Sequence, residues 1–416
     1  MINFIKNEIS HFRLFPKRTQ QLLISFFLYS TSYPIISIFI NAYIWRKNNN
    51  LSSLVIFRMG QFMIVPLIFF INGILLKKYK INRLYFFGSL IISVSLVIIV
   101  FLRNNTLLGF FIMGALLGIG AGFYWANRSY LTIKETDEKN RSYFFGLLFS
   151  YSTLVGLMVT FSVGWLIVFG LSYQALITIA FILIIMSGFM VLKNHYQTPK
   201  INKLFVTRPT SAWHKKRLIH LGLGLVEGLS FFVPSLLILI MLGNEGILGT
   251  LTAASSIFSA ILIYYYGRKS DIKDHRRYFI VSVILNLFFS LLLALFFHKL
   301  TVILFTLLNG LIINFLWLTA TPLIMRNIDL DSFNKEEVRF SYILDSEIFL
   351  NIGRVFACLL CLFIAFKAGD LFSLRYSPLI LSVMQLFLFI YLEEKKNSSV
   401  KLWYIASEKQ DVVFVI

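Results

Sequence analysis

Apolar residues run in blocks of about twenty along this chain, and the polar residues fall between the blocks rather than alternating with them. A helix of that length crosses the ~30 Å hydrocarbon core of a bilayer. Twelve spans are predicted, at Gln21–Trp45, Leu54–Leu76, Leu84–Leu102, Leu107–Ser129, Tyr143–Gly170, Leu171–Leu192, Leu218–Leu242, Gly246–Tyr266, Tyr278–Phe297, Leu300–Met325, Tyr342–Phe366 and Leu371–Leu392. The connections are short except for 193–217, a polar, basic stretch with Pro199 and Pro209 that separates six spans from six. The expected fold is an all-α integral membrane protein of twelve transmembrane helices. Two six-helix bundles would occupy 1–192 and 218–392, with 193–217 as a cytoplasmic linker and 393–416 as a cytoplasmic tail.

Composition agrees with lipid as the solvent. The chain is 58% hydrophobic and 14% charged, with mean hydropathy +0.78, against about half apolar and a quarter charged for a soluble domain. The net charge of +20 would suit nucleic acid, but its placement argues for topology instead. Lys77, Lys78, Lys80 and Arg83, then Arg268, Lys269, Lys273, Arg276 and Arg277, and similar groups crowd every second connection. About 30 of the Lys and Arg fall on one side and about 6 on the other, the positive-inside pattern. Both termini are expected in the cytoplasm of a multi-pass cell-membrane protein, and no nucleic-acid partner is expected. Residues 1–20 are polar and mixed and do not read as a cleaved signal.

Enzyme chemistry has little to stand on. Cys358 and Cys361 are the only cysteines and sit in an apolar block, so they read as small buried hydrophobes. The six histidines are scattered without metal-ligand spacing. No Gly-x-x-x-x-Gly-Lys-Ser/Thr phosphate loop is present. No metal or cofactor is expected, and a membrane-embedded transferase is the less favoured class.

The two halves echo each other. Trp125 answers Trp317, Arg141-Ser-Tyr answers Arg339-Phe-Ser-Tyr, and Gly156 answers Gly353. Weak internal symmetry of this kind marks duplicated transporter halves. The connection after the eighth block reads Gly267-Arg-Lys-Ser-Asp271-Ile-Lys-Asp-His-Arg276-Arg277, and its first-half partner runs from Gly73 through Lys77 and Lys78 to Arg83. Gly114-Ala-Leu-Leu-Gly118-Ile-Gly120-Ala-Gly122 supplies a small-residue stripe in the fourth span. With six plus six spans and a basic central linker, the chain resembles the major facilitator superfamily over nearly its whole length. It departs from that pattern at Lys77, where an Asp is usual, at Gly114, where an Arg is usual, and in lacking the fifth-span Gly-Pro signature of many drug–proton antiporters. The resemblance implies a monomeric secondary transporter whose bundles rock about a mid-membrane site for a small organic solute.

Ionisable groups inside spans cost about 2.5–3.5 kcal/mol on insertion scales, so each needs a reason. Glu227, about ten residues into the seventh span, lies near the midplane and could carry a proton. Gly222, Gly224 and Gly228 would let its helix bend or pack closely. Glu347, Asn351 and Arg354 form one stripe at i, i+4 and i+7, and Arg354 is expected to pair with Glu227. Arg58, with Gln61 one turn away, could bind an anion or snorkel outward. Tyr29, Tyr33, Asn127, Asn309 and Asn314 complete the expected solute-binding set. Trp125 and Arg128 read as interface residues instead. An inverted inner gate is expected, with Lys77 and Lys78 facing Asp345 and Glu347; Arg141, Asp271 and Arg276 would form the second-half gate. The aromatic, mixed lining favours proton-coupled efflux. Uptake by symport and lipid flipping are the alternatives.

Overall fold

The computed structural model describes residues 12, 15–101, 106–136, 138–207, 209–269, 274–332 and 336–394. Among the described residues all the regular structure is helical. The helices are α1 (Lys17–Asn48), α2 (Leu51–Leu75), α3 (Ile81–Phe101), α4 (Leu107–Glu135), α5 (Glu138–Val168), α6 (Tyr173–Leu192), α7a (Ser211–Ser230), α7b (Val233–Leu242), α8 (Glu245–Lys269), α9 (Asp274–Leu295), α10 (Lys299–Asp331), α11 (Glu336–Ala368) and α12 (Asp370–Glu394). Counting α7a and α7b as one, they give twelve spans long and apolar enough to cross a membrane, one for each predicted block.

Several helices overrun their apolar blocks on the face that carries the 193–217 linker, called here the terminal face. α4 continues to Glu135, α10 to Asp331, and α7a and α11 begin at Ser211 and Glu336. Hydropathy marks only the lipid-matched part, whereas backbone hydrogen bonding continues until a cap ends it. Thr210 provides one such cap, its Oγ1 accepting from the Trp213 amide at 3.1 Å. On the opposite face the turns are abrupt. Asn49 and Gly243 stand in left-handed conformation (φ 48° and 96°) and reverse the chain within two or three residues.

Two spans are interrupted near mid-membrane. Proline removes an amide donor and crowds the preceding turn. In α1, Pro34 leads into a π-helical turn at Ile35–Phe39. In α7, the helix breaks at Phe231 and Phe232, just before Pro234.

The helix pairs within the first six spans recur six spans later. The pairs α1–α5, α1–α6, α2–α4, α3–α4 and α3–α6 are matched by α7–α11, α7–α12, α8–α10, α9–α10 and α9–α12. The two groups meet along α2–α11 and α5–α8. Glycine sets the closest of these contacts. A Cβ added at Gly114 would lie 1.8 Å from the Phe57 carbonyl oxygen, and one at Gly224 would lie 2.0 Å from the Leu350 carbonyl oxygen. The first contact seats α4 on α2. The second seats α7a on α11, and so decides which side chains meet at the centre.

Candidate functional site

Gly224 and Gly228 bring α7a so close to α11 that Glu227 reaches Arg354. Glu227 Oε2 accepts from Arg354 Nη2 at 2.8 Å and from Nε at 3.1 Å. Arg354 Nη1 donates to Asn351 Oδ1 at 3.1 Å and reaches Glu347 Oε1 at 3.5 Å, while Asn351 Nδ2 donates to Glu347 Oε1 at 2.8 Å. The stripe expected on α11 is thus one hydrogen-bonded chain, and Glu227 closes it from the neighbouring helix. The side chains of Glu227 and Arg354 are only 14% and 13% exposed, so solvent screens the pair weakly.

Arg58 has a different kind of environment. It is 1% exposed and does not snorkel. Its Nε and Nη2 donate to Asn41 Oδ1 at 3.0 and 2.5 Å, Nη2 also to the Ser37 carbonyl at 3.0 Å, and Nη1 to Gln61 Oε1 at 2.8 Å. The π turn of α1 presents that Ser37 carbonyl. Asn41 in turn donates to the Phe231 carbonyl at the α7 break, 2.5 Å away. Among the described residues no carboxylate lies within ion-pair distance of Arg58.

Phe231 stands between the two guanidiniums. Arg58 lies 5.6 Å and Arg354 5.8 Å from its ring centre, and Phe62 packs beside it at 5.4 Å. Tyr33, just before the π turn, is 37% exposed. The breaks in α1 and α7 therefore converge with Arg58, Glu227 and Arg354 at one place. Neither break nor Phe231 was singled out from the sequence; Pro34 and Pro234 are the local signals that mark them.

The other expected residues are distributed around this centre. Gln61 serves as an acceptor for Arg58. Tyr29 is 4% exposed and stacks on Tyr124 at 4.0 Å, behind Tyr33 rather than beside the ion pair. Asn127 is fully buried, and its amide exchanges hydrogen bonds with Asn72 at 2.9 and 3.2 Å, tying α4 to α2. Asn314 donates to Ser259 Oγ at 3.2 Å, between α10 and α8. Asn309 lines a separate small cavity within the last six spans, with Asn286, Ser290, Pro378 and Ser382.

The contact expected for the inner gate is not made in this arrangement. Lys77 and Lys78 are exposed at the end of α2. Asp345 is held instead by Arg217 of α7a, from Nη2 at 2.6 Å and Nε at 2.7 Å, and by Trp213 Nε1 at 2.7 Å. Arg217 wins because it sits on the adjoining helix and offers a planar pair of donors, which lysines on an exposed turn lack. Glu347 faces Arg354, away from that loop. The side chains of Arg141 and Arg276, and Asp271 as a whole, lie outside the described residues.

A cross-half contact that the sequence reading passed over closes the opposite face. Arg46 of α1 donates to Glu245 of α8 at 2.8 Å and to the Gly243 carbonyl at 2.6 Å, and Tyr173 of α6 donates to the same carboxylate at 2.9 Å. Asp370 of α12 accepts the Leu51 amide at the start of α2, at 3.0 Å.

Comparison with known proteins agrees with this architecture. The sequence profile of the Major Facilitator Superfamily matches residues 22–327. The uncharacterized protein YqgE of Bacillus subtilis (strain 168) is 25% identical over 354 residues, covering 81% of this chain and 80% of that protein. Among solved structures, the POT family transporter PepTSo superposes with a TM-score of 0.66 at 8% identity, over 92% of this chain and 99% of its own. The human organic anion transporter MFSD10 gives 0.63 at 12% identity, over 90% and 99%. The nucleoside transporter NupG gives 0.61 at 14% identity, over 91% and 99%. At such identities these neighbours speak for the fold alone.

Proposed function

Because the chain belongs to the Major Facilitator Superfamily, we propose that it is a proton-coupled secondary transporter that moves a small organic solute by alternating access, with export as its working direction. The observation that carries this reading is the Glu227–Arg354 pair, set at the junction of the two helix groups. A carboxylate held by a guanidinium in a poorly screened site has two states. Deprotonated, it ties α7a to α11 through the ion pair. Protonated, it releases Arg354, whose donors then turn to Glu347, Asn351 or a solute. A proton thereby changes which groups the cavity offers, which is what coupling requires. The halves would rock as rigid groups about α2–α11 and α5–α8, with the termini in the cytoplasm of a cell membrane as the basic-residue asymmetry suggests. The protein would act as a monomer without a cofactor.

The test compares cells expressing the wild type with cells expressing Glu227→Gln, by untargeted mass spectrometry of cytosol and medium. A compound displaced across the membrane only by the wild type supports the reading, and the compartment in which it accumulates gives the direction. Identical profiles would remove Glu227 as the coupling residue. A shift that persists in Glu227→Gln and still vanishes when the proton gradient is collapsed would assign coupling to another group.

A further inference from the structure

Arg128 of α4 occupies a cage. Its guanidinium lies 4.4 Å from the ring centre of Phe26, 4.6 Å from Trp125, 5.8 Å from Tyr124 and 5.9 Å from Tyr29. Its one hydrogen bond is long, 3.4 Å from Nη1 to Tyr124 Oη. Among the described residues no carboxylate lies within ion-pair distance of it. The side chain is half-buried rather than enclosed. Arg354, Arg217 and Arg46 each hold a carboxylate, and Arg58 commits its donors to Asn41, Ser37 and Gln61. Arg128 alone of these five arginines keeps a largely uncommitted fork.

The charge balance has the same sign. Arg354 meets Glu227 and Glu347, while Arg58 and Arg128 meet no carboxylate among the described residues. Three cations against two anions leave these five groups net positive. A positive site walled by aromatic rings selects a negative group attached to a flat apolar body.

Building on the transport reading above, we infer that the solute is a small aromatic organic anion and that Arg128 is the residue on which its anionic group docks, with the partly exposed Trp125 against its ring.

The test uses the purified full chain in detergent, where neither a membrane nor a proton gradient is needed. Its outcome is therefore separable from that of the coupling experiment. The probes are benzoate, 2-naphthoate and 2-anthroate, each beside its neutral amide, read by thermal shift and by quenching of tryptophan fluorescence. We expect at least one acid to bind the wild type tenfold or more tightly than its amide. Arg128→Gln should abolish that preference. Should Arg128→Gln fail to fold, Arg128→Lys keeps the charge but loses the planar fork, and it must weaken acid binding severalfold. The inference is overturned if no acid outcompetes its amide, or if acid binding is unchanged in whichever Arg128 variant folds. In either case Arg128 is only an aromatic-lined strap at the terminal face.

Discussion

Arg58 and Arg354 approach one phenylalanine ring from α2 and α11 at nearly equal distance, yet they are neutralised in opposite ways. Arg354 meets carboxylates on two helices. Arg58 meets an asparagine, a glutamine and backbone carbonyls exposed by the π turn. A carboxylate partner can be switched off by one proton, whereas a carbonyl or amide cannot. Only the Arg354 side of Phe231 could be switched by a proton. The interrupted helices α1 and α7 meet at the other, fixed side through Asn41.

The largest effect is expected from breaking the switchable side. Arg354→Gln strands Glu227 and Glu347, and removing one partner of a buried ion pair costs about 3–5 kcal/mol. The measurement is thermal unfolding in detergent. Glu227→Gln combined with Arg354→Gln should recover part of the loss, because only the more distant Glu347 is then stranded. The swap of Glu227→Arg with Arg354→Glu should also refold if the two are in contact. Additive losses in both double variants would show that the residues do not pair.

On the fixed side the penalty is smaller. Arg58→Gln leaves the Asn41 and Ser37 acceptors short of donors, at about 1–3 kcal/mol for each group left buried and unsatisfied. Polar groups there can re-pair with one another, so the total should stay near one such penalty. Lowering the pH should leave this loss unchanged, since Asn41 and Gln61 do not titrate. A strong pH dependence would mean that an acid neutralises Arg58 after all.

What the sequence disclosed follows the same division. The spans were legible because about twenty apolar residues in lipid have few alternatives to a helix. The ends of α4, α10 and α11 were not, because hydropathy stops at the lipid while hydrogen bonding does not. Glu227 and Arg354 stood out by the cost of burying charge, and the i, i+4, i+7 spacing on α11 gave their geometry. Asp345 was misread. Arg217 belongs to a basic cluster that topology already explained, so its role as a specific partner was hidden. The cross-half contacts of Asn41, Phe231, Arg46 and Glu245 depend on which helices adjoin, and no local pattern encodes that. Asn127 looked like a cavity residue because a polar side chain in a span suggests function, yet Asn72, on a helix fifty residues away, satisfies it.

A third comparison uses the repeat itself. Gly156 and Gly353 occupy matching places in the two halves. A Cβ on Gly353 would lie 2.4 Å from the Leu221 carbonyl oxygen, while one on Gly156 meets nothing within 4 Å. Gly353→Ala should therefore destabilise by about 1–3 kcal/mol through overpacking. Gly156→Ala should be neutral or stabilise by up to about 1 kcal/mol through helix propensity. Melting temperatures of the two variants decide it. Equal shifts would mean that α5 packs as tightly as α11 in another state of the cycle.

The smallest effect in stability is expected at the latch on the opposite face. Arg46 is 42% exposed, so its bond to Glu245 is well screened and contributes about 0.2–1 kcal/mol. That is little for folding, but it acts on an equilibrium between conformations, where less than 1 kcal/mol moves the ratio about two- to fivefold. The bond joins α1 to α8, so it exists only while that face is closed. Arg46→Gln should leave the melting temperature nearly unchanged and speed the labelling of a cysteine placed at Tyr33 (Tyr33→Cys) by an impermeant thiol reagent added from that face. High salt should produce the same acceleration in the Arg46-intact protein and none in Arg46→Gln, because screening and deletion remove the same interaction. Unchanged labelling in both would leave closure to other contacts, such as that of α5 with α8, where a Cβ on Gly249 would lie 2.3 Å from the Thr160 carbonyl oxygen, making Arg46 and Glu245 a consequence of closure rather than a cause.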